Sequence, residues 1–270
     1  MKKSIYPLFF FCFVFPYVCA SDYLRMPDMR SMAMGGNTVT QSSFFNPSLL
    51  SLQTNRSIYM QYFNRFQLKE LGSITGCFTY PNRLLPIGFY FSSFGYDAYR
   101  QTMFRFAAGK QLGNHWHLGI AFQYLTLQTE LFEESPAALS TDLGCVYQPF
   151  DNLLIGLFIM HLPVVHLKDK NIDNKVFTNN FFSIGLEWEF INNLLITLSS
   201  SYRNSGSFGF HGGLEYSLFH AFHLRCGVQG KPFSPTFGIG YDFSSFSLDI
   251  AAVGHATLGL STGIGISFHF

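Results

Sequence analysis

From about residue 56 to the end, apolar and polar side chains alternate, the period of two expected of strands whose faces meet different surroundings. Trp116, Leu118, Ile120, Phe122 and Tyr124 share one face, and His117, Gly119, Ala121 and Gln123 the other. The same division sets Phe182, Ile184, Leu186, Trp188 and Phe190 against Ser183, Gly185, Glu187 and Glu189. It sets Phe222, Leu224, Cys226 and Val228 against His223, Arg225, Gly227 and Gln229, and Phe246, Leu248 and Ile250 against Ser247 and Asp249. Such runs predict strands near 56–65, 70–80, 84–95, 99–111, 115–129, 138–148, 152–161, 177–190, 193–203, 207–218, 221–230, 234–243, 245–253 and 260–270. Only residues 21–55, ahead of the first strand, do not alternate.

A soluble sandwich also has two unlike faces, but its wet face is rich in Lys, Glu, Thr and Arg. Here the polar face is mostly Gly, Ser, Ala and His with single charges, which suits a crowded barrel interior. The expected fold is therefore all-β: a transmembrane antiparallel β-barrel of about 14 strands over residues 56–270, with lipid against its apolar face. The connections agree, since every second one is short: Pro81-Asn82-Arg83, Gly113-Asn114, Phe150-Asp151-Asn152, Ile191-Asn192-Asn193, Phe219-His220-Ala221 and Ser244-Ser245. The alternate set includes the two longest, Glu130 to Ala137 and Leu162 to Val176. Outer-membrane barrels carry tight periplasmic turns and longer outer loops. That rule places both termini in the periplasm of a Gram-negative bacterium and Lys168-Asp169-Lys170 outside. Tyr80, Trp116, Phe150, Phe190, Phe222 and Phe243 flank the short turns as an interfacial girdle would.

Composition removes the main competitors. Charged residues are 12% of the chain, too few to solvate an ordinary globular surface, while Phe alone occurs 33 times. Yet the longest apolar run past the N-terminus, Leu153 to Met160, is far short of the ~20 residues of a spanning helix. A net charge of +1 with no basic stripe argues against a nucleic-acid partner.

Residues 1–20 have the order of a secretory signal peptide: Lys2 and Lys3, an apolar core from Ile5 to Val18, and Val18-Cys19-Ala20 at an expected cut before Ser21. Cys19 as a lipoprotein acceptor is the competing reading, though Tyr17 and Val18 are bulky for it. Of the remaining cysteines, Cys145 and Cys226 fall on the apolar face and Cys77 on the polar one, with no spacing for a disulfide framework or zinc site.

No GxSxG, HExxH or Walker pattern occurs, so no enzyme, cofactor or metal is expected. Several His residues (among His115, His117, His211, His220, His223 and His269) fall inward by parity, and hydrogen-bonded filling of a polar lumen accounts for them better than a metal or proton role. Arg105, Asp142, Glu187, Glu189, Glu215, Arg225, Asp242 and Asp249 share the inward face. Enclosed charges are costly unless paired, so ion pairs with one another or with Arg25, Asp28 and Arg30 are expected.

Two elements of the leading segment are specific: Met32-Ala33-Met34-Gly35-Gly36-Asn37 and Phe45-Asn46-Pro47-Ser48-Leu49-Leu50. They resemble the N-terminal hatch of the FadL-like superfamily. At the other end, Leu224-Arg225-Cys226-Gly227, Phe237-Gly238-Ile239-Gly240-Tyr241, Leu248-Asp249-Ile250-Ala251 and Leu258-Gly259 are similar to the PorV/PorQ pattern within it. The resemblance implies a barrel with residues 21–55 folded inside as a plug built on Met34, Gly35, Gly36, Asn46 and Pro47. The alternative is a disordered periplasmic lead, against which stand Phe44, Phe45, Leu49, Leu50 and Leu52.

For function, the resemblance implies a passive channel for small hydrophobic molecules, with the plug shifting or a wall opening sideways. The few long outer loops count against a greasy capture site. The alternative is a PorV/PorQ-type barrel of type IX secretion that binds an exported protein or a secretion component. A lipase-like enzyme would need a Ser, His and acid cluster near one rim, which the sequence does not offer. The last strand, ending at Phe270, resembles the signal such barrels present to the outer-membrane assembly machinery.

Overall fold

The computed structural model describes residues 26–130, 135–167, 180–204, 206–219, 221–230 and 232–270. The signal-peptide reading, Arg25, His220 and the Lys168-Asp169-Lys170 loop lie outside these residues.

The strands are β1 (Ser57–Asn64), β2 (Gly72–Tyr80), β3 (Ile87–Tyr96), β4 (Tyr99–Leu112), β5 (Trp116–Thr129), β6 (Ala137–Phe150), β7 (Leu153–Met160), β8 (Val164–His166), β9 (Phe181–Ile191), β10 (Leu194–Arg203), β11 (Phe208–Leu218), β12 (Phe222–Gln229), β13 (Ser234–Asp242), β14 (Phe246–His255) and β15 (Gly259–His269). All pairs are antiparallel. β15 returns to β1, with Ser57 opposite His269 and the Phe270 amide donating to the Arg56 carbonyl at 3.0 Å. The ring therefore closes on itself, as a sheet in lipid must because nothing there can solvate unpaired backbone. β8 is not a separate wall: it prolongs the line of β7 along β6, so the closed barrel has fourteen strands.

The sequence-predicted runs correspond one for one to these walls, with two local differences. The third begins at Ile87 rather than 84, because the Leu84 amide donates to the Asn82 side chain in a turn and Pro86 has no amide for a ladder. The seventh ends at Met160, close to expectation, but the stretch expected as a loop from Leu162 opens with a bulge and the short strand β8. His161 adopts φ 65°, its amide donates to the Asp142 carboxylate at 3.0 Å, and the Leu162 amide donates to the Thr141 carbonyl at 2.7 Å before Val165 pairs with Leu139. This is a bulge, in which the extra residues of one strand bend it out of its ladder. β9 pairs with β7 only as far as Met160 and Phe181. The two rims also differ less regularly than expected: residues 97–98 form a two-residue turn on the long-loop rim, and 81–86 a six-residue turn on the other.

Outward side chains form a greasy exterior in which Phe122 is 54% exposed, beside Phe106, Ile184, Phe210, Phe237 and Ile264. Among the described residues no helix is long and apolar enough to cross a membrane. The inward face carries the core. Residues 26–52 are largely buried against it through a short helix α1 (Met29–Ala33), capped by the Asp28 carboxylate, and a 3-10 turn over Pro47–Leu52, capped by the Asn46 side chain.

The inward glycines explain how that segment fits. A Cβ on Gly119 would overlap the Pro47 backbone, one on Gly144 the Asn46 side chain, and one on Gly213 or Gly227 the Met34 backbone. Val39 touches Gly156 and Gly185, Ala33 touches Gly238, and Met29 touches Gly263. These contacts fall on strands from β5 round to β15, so small residues on the polar face mark where another stretch of backbone lies against the wall.

Candidate functional site: the barrel lumen

Three zones follow one another along the lumen. On the long-loop side, one wall is apolar: Phe94, Met103, Leu125, Leu127, Phe158 and Met160 point inward and are buried. Phe181 and Tyr99 pack against them at the rim. Ring centroids step down this wall from Phe181 to Phe158 at 6.3 Å and from Phe158 to Phe45 of the leading segment at 6.3 Å, both edge-on. Phe44 continues to Tyr90 at 4.7 Å. Edge-to-face packing of this kind is the preferred geometry of aromatic pairs.

The middle zone is the segment itself, held by wall side chains that satisfy its backbone. Tyr90 Oη donates to the Ser43 carbonyl at 2.8 Å, and Arg105 Nη2 to the Phe45 carbonyl at 2.6 Å. Thr236 Oγ1 donates to the Ala33 carbonyl at 2.8 Å and lies 2.9 Å from the Gly35 amide, while Tyr59 Oη accepts from the Met29 amide at 2.9 Å. His211 Nδ1 is 2.7 Å from the Gly35 carbonyl, and His117 Nδ1 is 2.7 Å from Ser51 Oγ. These histidines and His223, which sits between Ser217 and Asp242, are hydrogen-bonded in place. Gly35 and Gly36 follow α1 at φ 78° and 74°, and Gly35 passes so close to the Gly212 and Val228 carbonyls that no side chain would fit. Asn46 ties the second half together: Nδ2 donates to the Val39 carbonyl at 2.7 Å, and Oδ1 accepts from Ser48 Oγ at 2.6 Å.

The short-turn side holds a polar cavity of about 390 Å³. Its charged lining comprises Asp28, Arg30, Glu215, Arg225, Asp242 and Asp249, with Tyr59, Ser42, Ser247 and Ser267 among the hydroxyls. Arg30 grips Glu215 with two hydrogen bonds, Nη2 at 2.7 Å and Nε at 2.9 Å. Arg225 donates from Nε to Glu215 at 2.5 Å and from Nη1 to Asp249. Glu215 thus joins the leading segment to β11 and β12, and Arg225 carries the link on to β14.

Arg105 and Asp142 form a separate, wholly buried pair at 2.6 Å, with Gln123 Nε2 donating to Asp142 at 3.1 Å. Glu187 lies on the inward face and is partly buried, but Glu189 and Asp242 are exposed at the short-turn rim. The strands end there, so inward parity no longer encloses a side chain. Of the cysteines, Cys77 is buried inward and Cys226 is exposed outward. Among the described residues no His, Cys, Asp and Glu side chains gather closely enough to hold a metal ion. Sequence parity missed the apolar inward residues Phe94, Met103, Leu125, Leu127, Phe158 and Met160; the available signal was loss of alternation at Tyr124-Leu125 and along the unbroken Leu153–Met160 run.

No protein-family model matches the chain, and no curated protein matches it. Among solved structures it is similar to the P. putida toluene transporter TodX, with a TM-score of 0.66 at 12% identity over 92% of this chain and 99% of that one. A Pseudomonas aeruginosa FadL homologue gives 0.60 at 11% identity over 90% and 97%. An Acinetobacter baumannii outer membrane protein gives 0.53 at 8% identity over 82% and 100%. At such identities the likeness is one of fold. That fold, a closed antiparallel barrel with an apolar exterior, is the one these outer-membrane proteins of Gram-negative bacteria share. These likenesses do not bear on the PorV/PorQ resemblance.

Proposed function

We propose that this barrel is a passive outer-membrane channel for small hydrophobic molecules, and that residues 21–55 are its plug. The observation that carries the reading is the apolar inward wall. A barrel lumen is ordinarily polar, whereas here Phe94, Met103, Leu125, Leu127, Phe158 and Met160 turn apolar surface inward between the long-loop rim and Phe45. A hydrophobic solute would gain by leaving water along that wall, since burial of apolar surface is worth about 25 cal/mol per Å². TodX, with the same fold, is described as a toluene transporter. Passage beyond Phe45 needs the plug to shift, and its contacts are hydrogen bonds and glycine packing rather than covalent links.

The test is uptake of a labelled aromatic hydrocarbon by cells expressing the full chain or a chain lacking residues 26–50. Faster uptake with the deletion is expected; equal rates in both, and in cells without the barrel, would sink the channel. A second reading, a PorV/PorQ-type barrel that binds an exported protein, draws on the compact part of the long-loop rim, where residues 97–98 and 256–258 are short turns. Crosslinked pull-down from outer membranes tests it, and recovery of the barrel alone counts against it. The final strand, with Phe270 62% exposed at its end, suits recognition by the assembly machinery; removing Phe270 is expected to slow insertion in a pulse-chase measurement.

A further inference from the structure

We propose that the lumen passes uncharged apolar molecules, hydrocarbons and their alcohols, and refuses carboxylates. The inference rests on the channel reading above and names its substrate class.

The charges along the route carry it. Arg30, Arg105 and Arg225 each already face a carboxylate: Arg30 and Arg225 share Glu215, Arg225 also holds Asp249, and Arg105 holds Asp142. Beyond these pairs, and inside the rims, the described residues of the lumen add carboxylates but no further Arg or Lys. The cavity's His223 and His269 are neutral at a pH well above about 7. Asp28 lines the cavity with its carboxylate turned to Ser31, Glu187 stands partly buried on the inward face, and Asp242, with the His223 ring 3.0 Å away, stands at the exit rim. Arg65 and Arg203 stand at the long-loop rim, stacked over Phe94 and Phe181, and could draw an anion to the mouth only. An anion moving on from there leaves a wall of Phe, Met and Leu for a chamber whose carboxylates outnumber its guanidiniums. Like charges brought together in an enclosed site are strongly unfavourable, and the anion would also have shed its water along the apolar wall. An alcohol of equal length meets neither penalty. Its hydroxyl can be received by Tyr59, Ser42, Ser247 or Ser267 in the cavity, where water completes the exchange.

The experiment uses the full chain in vesicles with a lipopolysaccharide outer leaflet and compares decanol with decanoate, at a pH well above the carboxylate range, each corrected for vesicles without protein. Decanol is expected to cross about tenfold faster or more. The Glu215→Gln, Asp249→Asn double variant, which strips Arg30 and Arg225 of their carboxylate partners, is expected to raise decanoate flux about tenfold. Heat-modifiable migration on gels checks that the variant has folded. Should it fail to fold, Asp28→Asn keeps an N-cap and removes one lining charge, and a smaller rise in decanoate flux is expected. Equal flux of both solutes through the parent barrel overturns the charge inference and leaves the channel standing. Flux of neither overturns the channel and the inference with it.

Discussion

Asp142→Ala should lower the unfolding free energy of the barrel by about 3–5 kcal/mol, the cost typical of removing one partner from a buried ion pair. Asp142 and Arg105 are wholly buried, so the guanidinium would keep its charge with its carboxylate gone. The same carboxylate accepts from Gln123 and from the His161 amide, so its loss also strips the bulge of the group that holds it in register. Asp142→Asn keeps an acceptor and should cost less. The double variant Arg105→Met, Asp142→Leu should recover much of the loss, because two apolar side chains of similar size need no partners. Urea unfolding in lipid vesicles, followed by tryptophan emission, measures all three. If Asp142→Ala unfolds with the parent, water reaches the pair and the network is not the dry junction described here. Arg105 Nη2 also holds the Phe45 carbonyl, so the variants should loosen the leading segment as well as the wall.

That junction shows how far sequence reasoning reached and where it stopped. Parity alone put Arg105, Asp142, Glu215, Arg225 and Asp249 inward, because in a strand the side-chain period is fixed at two and one reliable outward residue settles the rest. It could not say that Arg225 would bridge Glu215 and Asp249, since that depends on how neighbouring strands are staggered around the ring. The expectation that Arg30 would find a luminal acid was sound for a simple reason: an enclosed guanidinium must be paired. Which acid it found is a matter of the path of residues 26–36. The bulge at His161 and β8 beyond it were illegible because Leu162-Pro163 reads as the start of a loop, and the group that fixes the bulge, Asp142, comes from the neighbouring strand. The inward apolar wall was hidden for a different reason. When both faces of a strand turn apolar the alternation vanishes, and the pattern then resembles a strand buried on both sides.

The largest effect on the exterior is expected from Phe122→Arg. Phe122 lies near the middle of β5, points outward and is 54% exposed, opposite Phe106 of β4. In a soluble protein so exposed a side chain could be exchanged for arginine within about 0.5 kcal/mol. At the midplane of a bilayer the same change costs about 2–4 kcal/mol, because the guanidinium must drag water or headgroups inward. Trp116→Arg supplies the contrast: Trp116 is just as exposed, but it stands at the start of β5 beside the 113–115 turn, where the interface should reduce the cost to about 0–1 kcal/mol. Urea unfolding in vesicles reads both variants against the parent. A large loss at Phe122 with a small one at Trp116 locates the hydrocarbon along the strand, and the difference depends on depth alone since both sites face the same way. Similar losses at the two positions, or none at either, would mean that the apolar belt does not face lipid.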